Sequence, residues 1–81
     1  MVTHLVTSTH LINHQIKLDG YEMSNGIITG YKVYKLNEQI GTLEFREGEW
    51  IVGVLIGYKV KVQVFSHFQQ AYEWILMNID E

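Results

Sequence analysis

The chain has 81 residues, a hydrophobic fraction of 47% and a formal net charge of −3, and it contains neither cysteine nor proline. This size predicts one small globular domain over residues 1–81, and the missing cysteines exclude disulfides, thiolate-ligated metals and a cysteine nucleophile. The acidic balance argues mildly against nucleic acid and anionic membrane surfaces as partners.

The first 29 residues carry a weaker pattern than the rest of the chain. Residues 1–9 show no periodicity, and we expect them to be mobile. Residues 10–18 alternate apolar and polar side chains, which favours a strand. Two turn dipeptides follow, Asp19 with Gly20 and Asn25 with Gly26, so we expect one or two strands before residue 31.

Residues 31–65 predict a four-stranded antiparallel meander with three short turns. Placing the first turn at residues 37–39 and the second at residues 47 and 48 sets apolar side chains opposite one another on one face. The same placement sets Lys32 opposite Glu44, a favourable pair on the outer face. The predicted core pairs are Val33 with Leu43, Tyr31 with Phe45, Phe45 with Trp50, and Leu43 with Val52.

The last hairpin of this meander joins residues 50–55 to residues 59–65. The second segment alternates Val60, Val62 and Val64 with polar residues, which is typical of a half-buried strand. A three-residue loop at residues 56–58 would place the three valines in the core, opposite Val54, Val52 and Trp50. The same register predicts that Lys59, Lys61 and Gln63 are exposed on the outer face. The apolar run from residue 50 to residue 58 is far shorter than the roughly 20 residues that span a bilayer, so we expect no membrane association.

A C-terminal helix is predicted to follow the meander and to end near Asn78. Ser66 and Gln69 match a capping box, with Ser66 as the N-cap residue. Apolar residues then recur at helical spacing and should pack across the sheet. They are Phe68, Ala71, Tyr72, Ile75, Leu76 and Ile79. The predicted fold class is therefore α+β, an antiparallel β-meander of four or more strands with one C-terminal α-helix packed across one face.

The sequence contains no pattern that predicts catalysis or metal binding. His10 and His14 lie on a predicted strand, where residues four apart are roughly 13 Å from one another and cannot share a metal ion. Ser66 lies next to His67, but it has a predicted capping role, and no nucleophile elbow or phosphate loop is present. We therefore expect no enzymatic activity, no metal and no cofactor.

Two apolar surfaces fall outside the predicted core. Trp74 and Met77 project away from the apolar stripe of the helix, and Ile51 and Leu55 lie on the outer sheet face. Aromatic and methionine side chains are enriched at interfaces. These residues predict a non-catalytic binding or regulatory module that acts through protein–protein contact. A homodimer with its two-fold axis near Trp74 is the simplest arrangement, and coverage by residues 1–16 of the same chain is the alternative.

The alternative function is nucleic-acid binding through the outer sheet face. Strands followed by a helix packed across them occur in DNA-binding domains that read the major groove with a sheet. The predicted register gives this face cations, an aromatic ring and an amide, the groups that contact phosphates and base edges. They are Lys32, Tyr34, Arg46, Lys59, Lys61 and Gln63. Glu44, Ile51 and Leu55 share the face, so protein contact is favoured. The lack of cysteine and of a recognisable secretory signal favours a cytoplasmic location.

Overall fold

The computed structural model describes residues 16–79 and shows a five-stranded antiparallel sheet with one helix. The strands are β1 (Ile16–Ser24), β2 (Ile27–Lys35), β3 (Glu38–Arg46), β4 (Glu49–Ile56) and β5 (Lys59–Phe65), and the helix is α1 (Phe68–Ile79). The strands lie in chain order, and α1 packs against β4 and β5. The predicted α+β meander with a C-terminal helix is confirmed.

Some of the sequence predictions lie outside the described residues. They concern the mobile start at residues 1–9, the strand from residue 10 to residue 15, and the histidines at positions 10 and 14. The position of the Ile79 side chain is likewise outside the described part of the structure.

The core lies between α1 and one face of the sheet. Leu43, Val52 and Val54 are buried in it, as predicted. Trp50 is partly buried, with its ring centroid 5.0 Å from that of Phe45 and 5.2 Å from that of Phe68. Phe45 therefore lies at the rim of the core, where 36% of its surface is exposed. The remaining buried apolar residues are Ile16, Leu18, Tyr31, Val33, Ala71, Tyr72 and Ile75.

Two-residue turns join all the strands, at residues 25–26, 36–37, 47–48 and 57–58. In the first three turns both central residues have positive φ, as in the type I′ turns that suit hairpins. The predictions of turns at Asn25 with Gly26 and at residues 47–48 are confirmed. The prediction of a turn at Asp19 and Gly20 is wrong, because both residues lie within β1.

The second hairpin, between β2 and β3, differs from its predicted register. The turn consists of Leu36 and Asn37, which have φ values of 52° and 72°, and not of residues 37–39. Leucine is uncommon at positive φ, so the residue types favoured a turn that begins one residue later, at Asn37. As a result Tyr31 pairs with Leu43 and Lys32 pairs with Thr42. The predicted pairs of Tyr31 with Phe45, Val33 with Leu43 and Lys32 with Glu44 are therefore wrong.

The last hairpin, between β4 and β5, is shifted by one residue from the prediction. Its turn consists of Gly57 and Tyr58, and Ile56 pairs directly with Lys59. Gly57 has a φ of 67° in the first central position, where a type II′ turn requires glycine. Because side chains alternate between faces, this shift moves every β5 side chain to the face opposite the predicted one. The prediction that Val60, Val62 and Val64 lie in the core is wrong, since all three are exposed.

The first turn of α1 is also arranged differently from the prediction. The backbone carbonyl of His67 accepts a hydrogen bond from the N–H of Ala71 at 3.3 Å, which makes His67 the N-cap residue. Gln69 donates its side-chain amide to Glu73 at 3.1 Å instead of reaching back toward Ser66. The predicted capping box with Ser66 as N-cap is therefore wrong.

This helix start leads to a stability prediction. The first turn of α1 contains no acidic residue, and a histidine occupies the N-cap position. The substitution His67→Asp should raise the free energy of unfolding by about 1 kcal/mol, because the aspartate carboxylate can accept a hydrogen bond from a backbone N–H of the first turn. Urea denaturation measures the change. Ser66→Ala is the matched control and should leave the free energy of unfolding unaltered; a loss in Ser66→Ala with no gain in His67→Asp would restore Ser66 as the cap.

Candidate interaction surface

The outer face of the sheet, opposite α1, divides into a polar half and an aliphatic half. The polar half lies on β1, β2 and β3 and includes Lys32, Glu44 and Arg46. The aliphatic half lies on β4 and β5 and is called here the outer aliphatic surface. It consists of Ile51, Leu55, Val60, Val62 and Val64.

The polar half is organised by an irregularity in β1. Gly20 pairs with Tyr31 and Glu22 pairs with Gly30, so Tyr21 is an extra residue in β1. This bulge lets Tyr21 and Glu22 both reach the same face. A Cβ atom at Gly30 would come within 2.9 Å of the Glu22 Cβ and 3.2 Å of the Tyr21 ring, so only glycine allows them to cross β2 this closely.

A network of charged and polar groups results on this half of the face. Arg46 Nη1 lies 3.0 Å from Glu22 Oε1, and Arg46 Nη2 lies 3.5 Å from Glu44 Oε1. The Tyr21 hydroxyl donates a hydrogen bond to Glu44 Oε2, and Lys32 Nζ lies 5.6 Å from the centroid of the Tyr21 ring. These two cations and two carboxylates balance in charge.

The hydrogen bonds of this network shift the pKa values of two members. The hydrogen bond to Glu44 is the main cause that raises the pKa of Tyr21, because the neutral phenol is the donor. The hydrogen bond to Glu22 raises the pKa of the Arg46 guanidinium. Both groups are solvent-exposed, so the network orders side chains on the face more than it stabilises the fold.

A shallow depression of about 560 Å³ adjoins this network and is lined by Glu22, Ser24, Asn25, Ile27, Thr29, Phe45 and Arg46. Its cation, Arg46, already pairs with two carboxylates. The two carboxylates offset the charge of the guanidinium, so the depression does not attract an anionic ligand. Among residues 16–79, no three histidine, aspartate or glutamate side chains come together in a way that could hold a metal ion.

The six residues proposed for nucleic-acid binding do not share one face. Lys32, Tyr34 and Arg46 lie on the outer face, where Arg46 is paired with two carboxylates. Lys59, Lys61 and Gln63 lie on the opposite face, because they pair with Ile56, Val54 and Val52 of the core side of β4. The prediction of one surface formed by all six residues is wrong, and the one-residue shift of β5 is the reason.

The outer aliphatic surface is an exposed apolar feature of the sheet. Leu55 is 46% exposed, Val60 69%, Val62 60% and Val64 47%. On β4 and β5 they are joined by Ile51, which is half-buried, and by Gly53, whose missing side chain leaves the flank of Val62 open. Isolated exposed apolar residues are ordinary, whereas a contiguous group usually marks an interaction site.

The helix surface proposed from the sequence is smaller than expected. Trp74 is partly buried, and its ring centroid lies 6.1 Å from that of Phe65 on β5. The prediction that Trp74 projects away from the core is therefore wrong. Met77 is 72% exposed and remains on the solvent side of α1. One exposed methionine does not form an interface by itself.

Sequence reasoning identified Ile51 and Leu55 on the outer face but missed the three valines beside them. The alternation of valine with lysine and glutamine was visible, but it does not say which face carries the valines. The signal that could have decided the face was Gly57. A glycine at the first central position, followed by a residue of any type, is typical of a two-residue type II′ turn.

Comparison of this chain with protein-family models, with curated proteins and with solved structures finds no match. Within the described residues, no helix has the length and apolar character that crossing a membrane requires. Functional inference for this protein therefore relies on its own geometry.

The polar network gives a direct prediction about titration. The substitution Glu44→Gln should lower the pKa of Tyr21 toward the ordinary tyrosine value of 10.0, because it weakens the acceptor of the phenolic proton. The Cζ chemical shift of Tyr21, followed by NMR through alkaline pH, measures this pKa. Glu47→Gln, in the neighbouring turn, is the control and should change nothing; an unchanged titration in Glu44→Gln would show that the Tyr21 to Glu44 hydrogen bond does not form in solution.

Proposed function

We propose that this protein is a non-catalytic binding or regulatory module of the cytoplasm that acts through protein–protein contact at its outer aliphatic surface. The observation that supports this proposal is the exposure of Val60, Val62 and Val64 side by side with Ile51 and Leu55. On the outer face, β4 carries no charged side chain between Ile51 and Leu55. The same face of β5 carries none between Val60 and Val64.

The energetics of burial favour a partner for this surface. Fully burying a valine, leucine or isoleucine side chain is worth about 1.5–3 kcal/mol relative to leaving it in water. Four adjacent side chains that are 46% to 69% exposed therefore represent a substantial free energy that a complementary protein surface would recover. Binding energy at interfaces is concentrated in a few fully desolvated residues.

The alternative, nucleic-acid binding, has less support in the geometry. Phosphate recognition depends on several cations that reach one backbone together. Here Arg46 is engaged by Glu22 and Glu44, and Lys32 and Lys61 lie on opposite faces of the sheet. The aliphatic half of the outer face offers no donor to a phosphate.

The proposed function predicts a loss of partner binding when the surface becomes polar. The double substitution Val60→Thr with Val62→Thr keeps the shape and strand propensity of both residues and adds a hydroxyl to each. Retention of interacting proteins on the immobilised chain should fall at least about tenfold, a change of 1.4 kcal/mol in binding free energy. The control is Lys61→Thr with Gln63→Thr, which alters the opposite face of the same strand and should keep the interaction.

The salt dependence of retention separates the two functions. Apolar contact should persist at about 1 M salt, where charges are screened within about 3 Å. Retention that disappears at high salt and in the Lys61→Thr and Gln63→Thr variant would contradict the proposal and support nucleic-acid binding. Retention that survives Val60→Thr with Val62→Thr would exclude the outer aliphatic surface as the binding site.

A further inference from the structure

The free edge of β5 is regular in the part of the chain that the structure describes. Among the described residues β5 has one neighbouring strand, β4, and its pairing with β4 contains no register shift. The opposite edge strand, β1, shifts register twice against β2. Bulges and prolines are common devices that prevent an edge strand from pairing with another chain. Strand β5 has neither, and its two charged residues, Lys59 and Lys61, which also oppose edge pairing, lie on the face opposite the valines.

The backbone of β5 presents its unused hydrogen-bonding groups at alternate residues. In a hairpin closed by a two-residue turn, the closing pair exchanges both backbone hydrogen bonds, and bonded pairs then alternate along the strands. Ile56 and Lys59 are the closing pair here. The N–H and C=O groups of Val60, Val62 and Val64 therefore point away from β4 toward the free edge.

The order of side chains along β5 is self-complementary. An antiparallel pairing of two copies centred on Val62 sets Val62 against Val62, Val60 against Val64, and Lys61 against Gln63. It brings valine against valine on the outer face and avoids placing any lysine opposite another lysine. Aliphatic cross-strand pairs stabilise a sheet, and directly opposed like charges destabilise it.

Neighbouring registers lack this match. Centring the pair on Lys61 would oppose the two Lys61 ammonium groups directly. Centring it on Gln63 would leave Lys59 and Val60 beyond the end of the partner strand, since β5 ends at Phe65. The register centred on Val62 is the one that pairs the whole strand from Lys59 to Phe65.

We propose that the free edge of β5 binds a second copy of the chain through antiparallel β5 strands, with the two-fold axis at Val62. Two five-stranded sheets then form one continuous sheet, and the two outer aliphatic surfaces lie side by side on one face as a larger exposed surface. This inference goes beyond the proposed function, because it concerns the backbone edge of β5 and not the outer aliphatic surface. A two-fold axis within one strand pair satisfies the self-complementarity that a symmetric dimer requires.

Cysteine cross-linking tests the register directly, because the chain has no cysteine of its own. In a hydrogen-bonded antiparallel pair the Cα atoms lie about 5.5 Å apart, which is within the range that a disulfide spans. The variant Val62→Cys should therefore form a disulfide-linked dimer under mild oxidation at tens of micromolar protein. Light scattering on the wild type should give a molar mass twice that of the 9.5 kDa chain.

Two further cysteine variants are matched controls. In the proposed register the two copies of residue 60 are offset by four residues, about 13 Å along the strands, which is too far for a disulfide. Val60→Cys alone and Val64→Cys alone should cross-link at least about tenfold less than Val62→Cys, whereas a mixture of the two should cross-link efficiently. Circular dichroism of each variant checks that the fold is kept.

The outcomes separate this inference from the proposed function. Cross-linking of Val60→Cys alone as efficient as that of Val62→Cys would overturn the register. A wild type that is monomeric at tens of micromolar would overturn pairing between copies. If that monomer still binds another protein in a way that Val60→Thr with Val62→Thr abolishes, the outer aliphatic surface remains the binding site and the partner is a different chain.

Discussion

The register of the hairpin between β4 and β5 is the constraint on which the functional surface depends. A two-residue turn at Gly57 and Tyr58 pairs Ile56 with Lys59 and thereby fixes the face of every side chain in β5. A turn longer by one residue would point Val60, Val62 and Val64 toward the helix side of the sheet and Phe65 toward the outer face. The observed turn does the opposite, so the protein carries a row of valines in water and an aromatic ring against its helix.

This arrangement links the packing of the helix to the location of the interface. Phe65 faces α1 and contacts Trp74, so the indole that the helix could have offered to a partner already packs within the chain. The core is completed by residues of β1 to β4 and by Ala71, Tyr72 and Ile75, without the valines of β5. Those valines are therefore available for contact with another surface, and the opposite half of the outer face is occupied by a charge-balanced network around Arg46.

The parts of this fold that follow from local chemistry could be predicted from the sequence. Asn25 with Gly26 and Glu47 with Gly48 form the expected turns, and the helical spacing of Ala71 and Ile75 places both residues in the core. The last hairpin was not predictable from burial, because β4 is apolar on both faces: Val52 and Val54 face the core, while Ile51 and Leu55 face outward. Either register therefore sets valines of β5 opposite apolar neighbours. The valines of the outer aliphatic surface were missed for this reason, and the helix surface at Trp74 was overestimated because its contact with Phe65 depends on the same register.

The inter-strand contacts of α-protons measure the register of this hairpin most directly. In an antiparallel sheet the residues of a non-hydrogen-bonded pair have Cα atoms about 4.5 Å apart, with their α-protons facing each other. The observed register predicts strong nuclear Overhauser effects between the α-protons of Gly53 and Val62 and of Leu55 and Val60. A strong effect between Val52 and Val62 in place of these would mean that the valines face the core, and it would contradict the account of the outer aliphatic surface.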